Sequence, residues 1–106
     1  MAIRHYVLTL NGSAQRLSSV LTNTNPGGPN DEAFRFLTLQ SGKANTNDIF
    51  VGGSTVSATD YGMRLDPTDT IPPIDMGHYD AGPVKLSEIY VIGTNNEKLH
   101  IFGVPF

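Results

Sequence analysis

Short strand-like segments recur along this chain, each closed by turn chemistry, and no segment of ten or more residues reads as a helix. That pattern leaves an all-β fold as the expectation. Residues 3–10, IRHYVLTL, place Tyr6, Leu8 and Leu10 on one face and His5, Val7 and Thr9 on the other. Asn11-Gly12 follows, a dipeptide favoured in tight hairpins because both residues tolerate positive φ. Residues 14–21 are the expected returning strand with Leu17 inward, although Leu17 and Leu21 are also spaced for one helical turn. A second hairpin is expected from residues 33–40, AFRFLTLQ, a turn over 41–47 and a return over 48–51. Within it Phe34 and Phe36 share a face, with Leu37 and Leu39 at adjacent alternating positions. A third runs in over 84–92, turns at Asn95-Asn96 and runs out over 99–104, with Ile92 facing Leu99 and Tyr90 facing Ile101. Both its faces are largely apolar, which sets it centrally, or against a second sheet or another subunit.

Two stretches interrupt this regularity. Residues 22–31, TNTNPGGPND, combine prolines, glycines and asparagines into the most loop-like part of the chain. Residues 66–83, DPTDTIPPIDMGHYDAGP, hold four of the seven prolines and read as loop or edge strand, since proline cannot donate to a ladder. Between the regular elements, residues 61–65 suit a short strand. The expected fold is one β domain over 1–106, a small antiparallel β-sandwich or barrel of jelly-roll-like type with extended loops at 22–31 and 66–83.

Composition narrows the function classes. Net charge is −3 and the seven Lys and Arg are scattered singly, unlike the basic face through which a nucleic-acid binder neutralises phosphate. The chain has no cysteine, which excludes disulfides and thiolate metal sites. The opening MAIRHYVLTL lacks a signal peptide's apolar core and cleavage site, and no apolar run approaches the ~20 residues of a membrane span. The expectation is a soluble protein made in a cytoplasm, with no nucleic-acid or membrane partner.

Candidate chemistry is sparse. Asp66, Asp69, Asp75 and Asp80, with His78 and Asp60 nearby, form one acidic cluster, but its spacing lacks the alternation and bidentate Glu of a calcium loop. Aspartates beside Pro and Gly more commonly cap turns. His5, His78 and His100 are dispersed, without a zinc spacing. Glu88 and Glu97 would lie near one another on the last hairpin, at ordinary solvated positions. No nucleophile elbow supports a serine triad. Gly52-Gly53 ends an apolar run as a phosphate loop would, yet Ser54-Thr55-Val56-Ser57-Ala58-Thr59 is a poor helix start and no lysine lies between Lys43 and Lys85. The glycines therefore read as a turn, and no enzyme activity, cofactor or metal is expected.

The string Asp48-Ile49-Phe50-Val51-Gly52-Gly53, then Val56, Tyr61-Gly62 and Leu65, resembles a motif of small tailed-bacteriophage virion proteins. In those proteins a strand ending I-Y-V-G-G precedes S-x-V-T and a G-x-x-L. Leu86-Ser87-Glu88-Ile89-Tyr90-Val91 with a polar turn and terminal strand is similar to their C-terminal hairpin, and VLTLNGSAQRL to their opening strands. The loops 22–31 and 66–83 are longer than that pattern. The resemblance implies a β-sandwich module on the virion, of the capsid cement or decoration type, bound to the major capsid protein on the capsid exterior and commonly trimeric. It implies no catalytic residues. The expected interface residues are Ile71, Ile74, Met76, His78, Tyr79, Val104, Pro105 and Phe106, each equally suited to the subunit's own core. The alternative is a tail or fibre module that recognises host surface glycan, which exposed aromatics on one sandwich face would favour.

Overall fold

The first strand, β1 (Arg4–Thr9), carries the alternation read from sequence: Tyr6 and Leu8 are buried while His5, Val7 and Thr9 face out. The structure, a computed structural model, describes residues 4–20, 33–67, 74–76 and 84–105. Its further strands are β2 (Gln15–Arg16), β3 (Ala33–Ser41), β4 (Ile49–Gly52), β5 (Met63–Leu65), β6 (Ile74–Met76), β7 (Val84–Lys85), β8 (Tyr90–Ile92) and β9 (Lys98–Pro105). Short 3-10 turns cover Leu17–Val20 and Leu86–Glu88, and the described residues contain no α-helix. The strands form two antiparallel sheets. The first has the order β1-β9-β3-β6, with β7 also on β3, and the second the order β2-β8-β4-β5. The chain is a small β-sandwich, as expected.

None of the three expected hairpins forms. The strands flanking each turn lie in different sheets: β1 and β2, β3 and β4, β8 and β9. The order β1-β9-β3 in one sheet matches β2-β8-β4 in the other, so three ribbons pass from sheet to sheet side by side. Strands that switch sheets in this way make the corner of a sandwich. Backbone bonds join the corners: Leu10 N–H donates to Glu97 O at 2.8 Å, Asn96 N–H to Leu10 O at 2.8 Å, and Gly42 N–H to Lys98 O at 3.0 Å. The turn chemistry is real, since Gly12 (φ 84°) and Asn96 (φ 71°) both adopt the left-handed region. It bends the chain over an edge instead of reversing it within a sheet. Among the described residues, the one hairpin between sequence-adjacent strands of a sheet is β4–β5, with Ile49 opposite Leu65 and Phe50 opposite Arg64.

Asn45 ties the middle corner. This largely buried amide donates from Nδ2 to Lys98 O at 2.7 Å and to Ser41 Oγ at 3.0 Å, and its Oδ1 accepts from Lys98 N–H at 2.9 Å. One side chain thus satisfies both backbone groups of the first β9 residue, replacing a ladder partner where the sheet ends. At the neighbouring corner, a Cβ on Gly93 would lie 2.5 Å from Leu10 Cδ1, and Leu10 is itself buried. Glycine is needed there for the close approach of the two ribbons.

Between the sheets lies a single core. Tyr6, Leu8, Phe34, Leu37, Leu39, Leu99 and Ile101 enter from the first sheet, Ile49, Val51, Leu65 and Val91 from the second. Leu10, Leu17, Leu86 and Ile89 join the same cluster from the connections, so the inward placement of Leu17 holds although its segment is a 3-10 turn. A bulge at Arg35 separates Phe34 and Phe36, placing Phe34 in the core and Phe36 on the outer face. It resolves the sequence pattern, in which Phe34, Leu37 and Leu39 cannot share one face of a regular strand.

Candidate functional site: two outward sheet faces

A sandwich has two outer faces. On the first sheet, the outward residues of the neighbouring β1, β9 and β3 lie in register: Val7 opposite His100, His5 opposite Phe102, Phe102 opposite Thr38, and Val104 opposite Phe36. Solvated sheet faces ordinarily carry polar side chains at such positions. Here Val7 is 50% and Phe102 46% exposed, with half-buried Phe36 and Val104 beside them. Val7 and Phe102 are diagonal neighbours across the β1–β9 pair, so they form one patch instead of isolated exposures.

The outer face of the second sheet carries a cleft of about 390 Å³. Its floor is Phe50 and Ile92, directly opposite one another on β4 and β8. Asn47 and Asp48, just before β4, and Gly93 and Thr94, just after β8, form its walls, and Ala58 closes it from the 53–62 loop. That loop is held by its own bonds: Val56 N–H to Gly53 O at 3.0 Å, Ser57 N–H to Asp60 O at 2.8 Å, and Gly62 N–H to Val51 O at 2.9 Å. Val56 is buried and pins it to the sheet. At the loop's end the Tyr61 ring packs on Phe50 with centroids 4.8 Å apart and planes tilted 46°, while Tyr61 remains 46% exposed. Gly52-Gly53 therefore releases the chain into a loop that shapes this cleft, in keeping with the turn reading.

Glu97 fixes one wall. Its carboxylate accepts from Thr46 N–H at 2.8 Å, Thr46 Oγ1 at 3.1 Å and Asn47 N–H at 3.2 Å. The Thr46 backbone bond is the largest influence on its pKa, and with the others it outweighs desolvation and holds the group below its ordinary 4.5. A carboxylate with a lowered folded pKa contributes stability that is complete above the unfolded pKa and is lost as pH falls through the folded one. Melting temperature is therefore expected to fall on acidification from about pH 5 to about pH 3, and to fall less steeply in Glu97→Gln. Thermal melts across that range in both proteins check this. Asp48 accepts from Arg64 Nη1 at 3.4 Å, an exposed pair of small energetic value.

Of the residues singled out from sequence, Val104 lies on the first-sheet patch and Pro105 pairs with Phe34 at the end of β9. Ile74 and Met76 lie on β6, opposite Leu39 and Leu37 at the sheet edge, as the edge-strand reading of 66–83 anticipates. Ile71, His78, Tyr79 and Phe106 lie outside the described residues, as do loop 22–31 and Asp69 and Asp80 of the acidic cluster. Among the described residues no three His, Cys, Asp or Glu gather around a common point, and no helix is long and apolar enough to cross a membrane. Glu88 and Glu97 do not share a hairpin, because β8 and β9 belong to different sheets. Phe102, Phe50 and Ile92 carry no outward signal in the sequence, since an apolar residue in a strand reads as core until the sheet's two faces are known. No family model, curated protein or solved structure matches this chain.

Proposed function

We propose that this chain is a bacteriophage virion structural protein of the cement or decoration type, which binds the capsid exterior and stabilises the shell. The observation that carries the reading is the outward apolar patch of Val7, Phe102, Phe36 and Val104 on the central strands of the first sheet. Such a patch on a small domain is suited to burial against another subunit. In this reading copies associate through that face, with a trimer as the expected assembly, and each copy also contacts the major capsid protein. Several modest contacts per assembly then add as avidity, which stabilises the shell by mass action without covalent links. The motif resemblance supports the same reading.

Phe102→Asp tests it, because the side chain is half exposed and its loss leaves the core intact. Wild-type chain is expected to sediment as an oligomer, to co-sediment with capsids that lack it, and to raise their rupture temperature. The variant is expected to lose self-association and bind capsids at least tenfold more weakly. Absence of binding by the wild type, or capsids equally heat-resistant without it, would sink the proposal.

A second reading, a tail or fibre module that recognises host glycan, is favoured by the exposed Tyr61 beside the second-sheet cleft. Copy number separates the two: hundreds per particle for a shell protein, a handful for a tail module.

A further inference from the structure

We propose that the second-sheet cleft binds a neutral saccharide, with Phe50 as the platform and Asn47, Asp48 and Thr94 as the polar rim. The inference rests on the host-glycan reading for its biological setting and assigns that reading a site. The floor and the rim of the cleft select the ligand class. Its floor, Phe50 with Ile92, is apolar and half-buried, and the exposed Tyr61 ring packs on Phe50 and holds that platform. Its rim offers an amide, a carboxylate and a hydroxyl from Asn47, Asp48 and Thr94. A pyranose presents the complementary surface, an apolar C–H face bordered by hydroxyl donors and acceptors.

Charge narrows the choice. The carboxylates of Asp48 in the rim and Glu97 behind Asn47 oppose a phosphate or other anion. Arg64 already faces Asp48, so a cationic ligand would compete with a resident guanidinium. A neutral polyol meets neither obstacle. The volume, about 390 Å³, lies at the small end of ligand pockets, which run to about 1,000 Å³, and suits a short saccharide.

The walls are also set before any ligand arrives. Glu97 clamps Thr46 and Asn47, and the 53–62 loop is closed by Ser57, whose Oγ accepts from the N–H groups of Asp60 at 3.0 Å and Thr59 at 3.3 Å. Preformed walls lower the ordering cost of binding, which matters for a ligand with few apolar atoms.

The test is amide NMR of the full chain titrated with N-acetylglucosamine, lactose, maltose and methyl mannoside, with glycerol as the control polyol. At least one sugar is expected to shift amides of residues 47–50, 58–61 and 92–94 saturably. Tyr61→Ala, at an exposed position, and Asp48→Asn are each expected to weaken that binding at least tenfold, whereas Val7→Ser on the opposite face leaves it unchanged. No saturable shift with any of these sugars, shifts equal to those with glycerol, or shifts indifferent to Tyr61→Ala would overturn the proposal. Its failure leaves the shell proposal standing. Conversely, a cleft that binds sugar on particles whose host adsorption is unaffected by Tyr61→Ala overturns the host-recognition setting alone.

Discussion

Phe34→Ala is expected to be the most damaging single substitution at a described position, lowering stability by about 3–5 kcal/mol. Phe34 is fully buried on β3, the strand that carries the most pairings in the first sheet, to β9, β6 and β7. Removing the ring loses its transfer free energy and leaves a void that surrounding strands, tied on both sides, close only in part. A domain of this size holds roughly 5–15 kcal/mol in total, so the variant should melt far below the wild type or fail to fold at physiological temperature. Denaturant titration gives the difference directly, and a loss below about 1 kcal/mol would show that the ring is not packed as described.

Gly103→Ala is the second, and it acts on the same place from the opposite strand. A Cβ on Gly103 would lie 2.6 Å from Phe34 Cδ2, 2.9 Å from its Cε2 and 3.0 Å from Leu37 Cδ1. The ring occupies the space that a side chain on β9 would fill, so one residue serves as the small partner of a large one across the sheet. Overpacking of this kind costs about 1–3 kcal/mol, because a fully buried ring has no solvent-facing rotamer to adopt. The two sites are in contact, so their effects should not add. Phe34→Leu introduced into Gly103→Ala is expected to recover part of the loss, with a coupling of about 0.5–3 kcal/mol. Additive effects in that double mutant would contradict the packing.

The same pair illustrates what could be read from residues alone. Strand existence was legible, because alternation in residues 4–9 and the apolar run at 49–51 follow from what each face meets. Partnership was not. Asn11-Gly12 and Asn95-Asn96 have the torsional tolerance of a hairpin turn, and they use it, but tolerance states that the chain bends and not where the next strand docks. The three corners are instead encoded at a distance, in Asn45 reaching Lys98, Glu97 reaching Thr46, and Gly93 making room for Leu10. Each is a contact between segments far apart in sequence or a side chain too small to announce itself. The bulge at Arg35 is similar: it is visible only as a conflict of phase between Phe34 and Leu37.

The candidate surfaces were hidden for a related reason. Phe102 sits between Ile101 and Gly103 in a nearly continuous apolar run, and such a run reads as buried on both faces. Which face the core takes depends on where the second sheet lies, which the three corners decide. Phe50 is likewise one of four apolar or small residues in β4, outward only because Ile49 and Val51 point inward. Tyr61 packs on Phe50 beside the second-sheet cleft, a contact between the 53–62 loop and β4 that no local pattern announces.

The proposal that the chain is a shell component is tested most directly by image reconstruction of the intact particle that incorporates it. Many symmetry-related copies of this sandwich are expected on the capsid exterior, with Val7 and Phe102 buried in a subunit contact. Particles whose outer shell shows no density for the sandwich, or shows it with that face open to solvent in every copy, would contradict it.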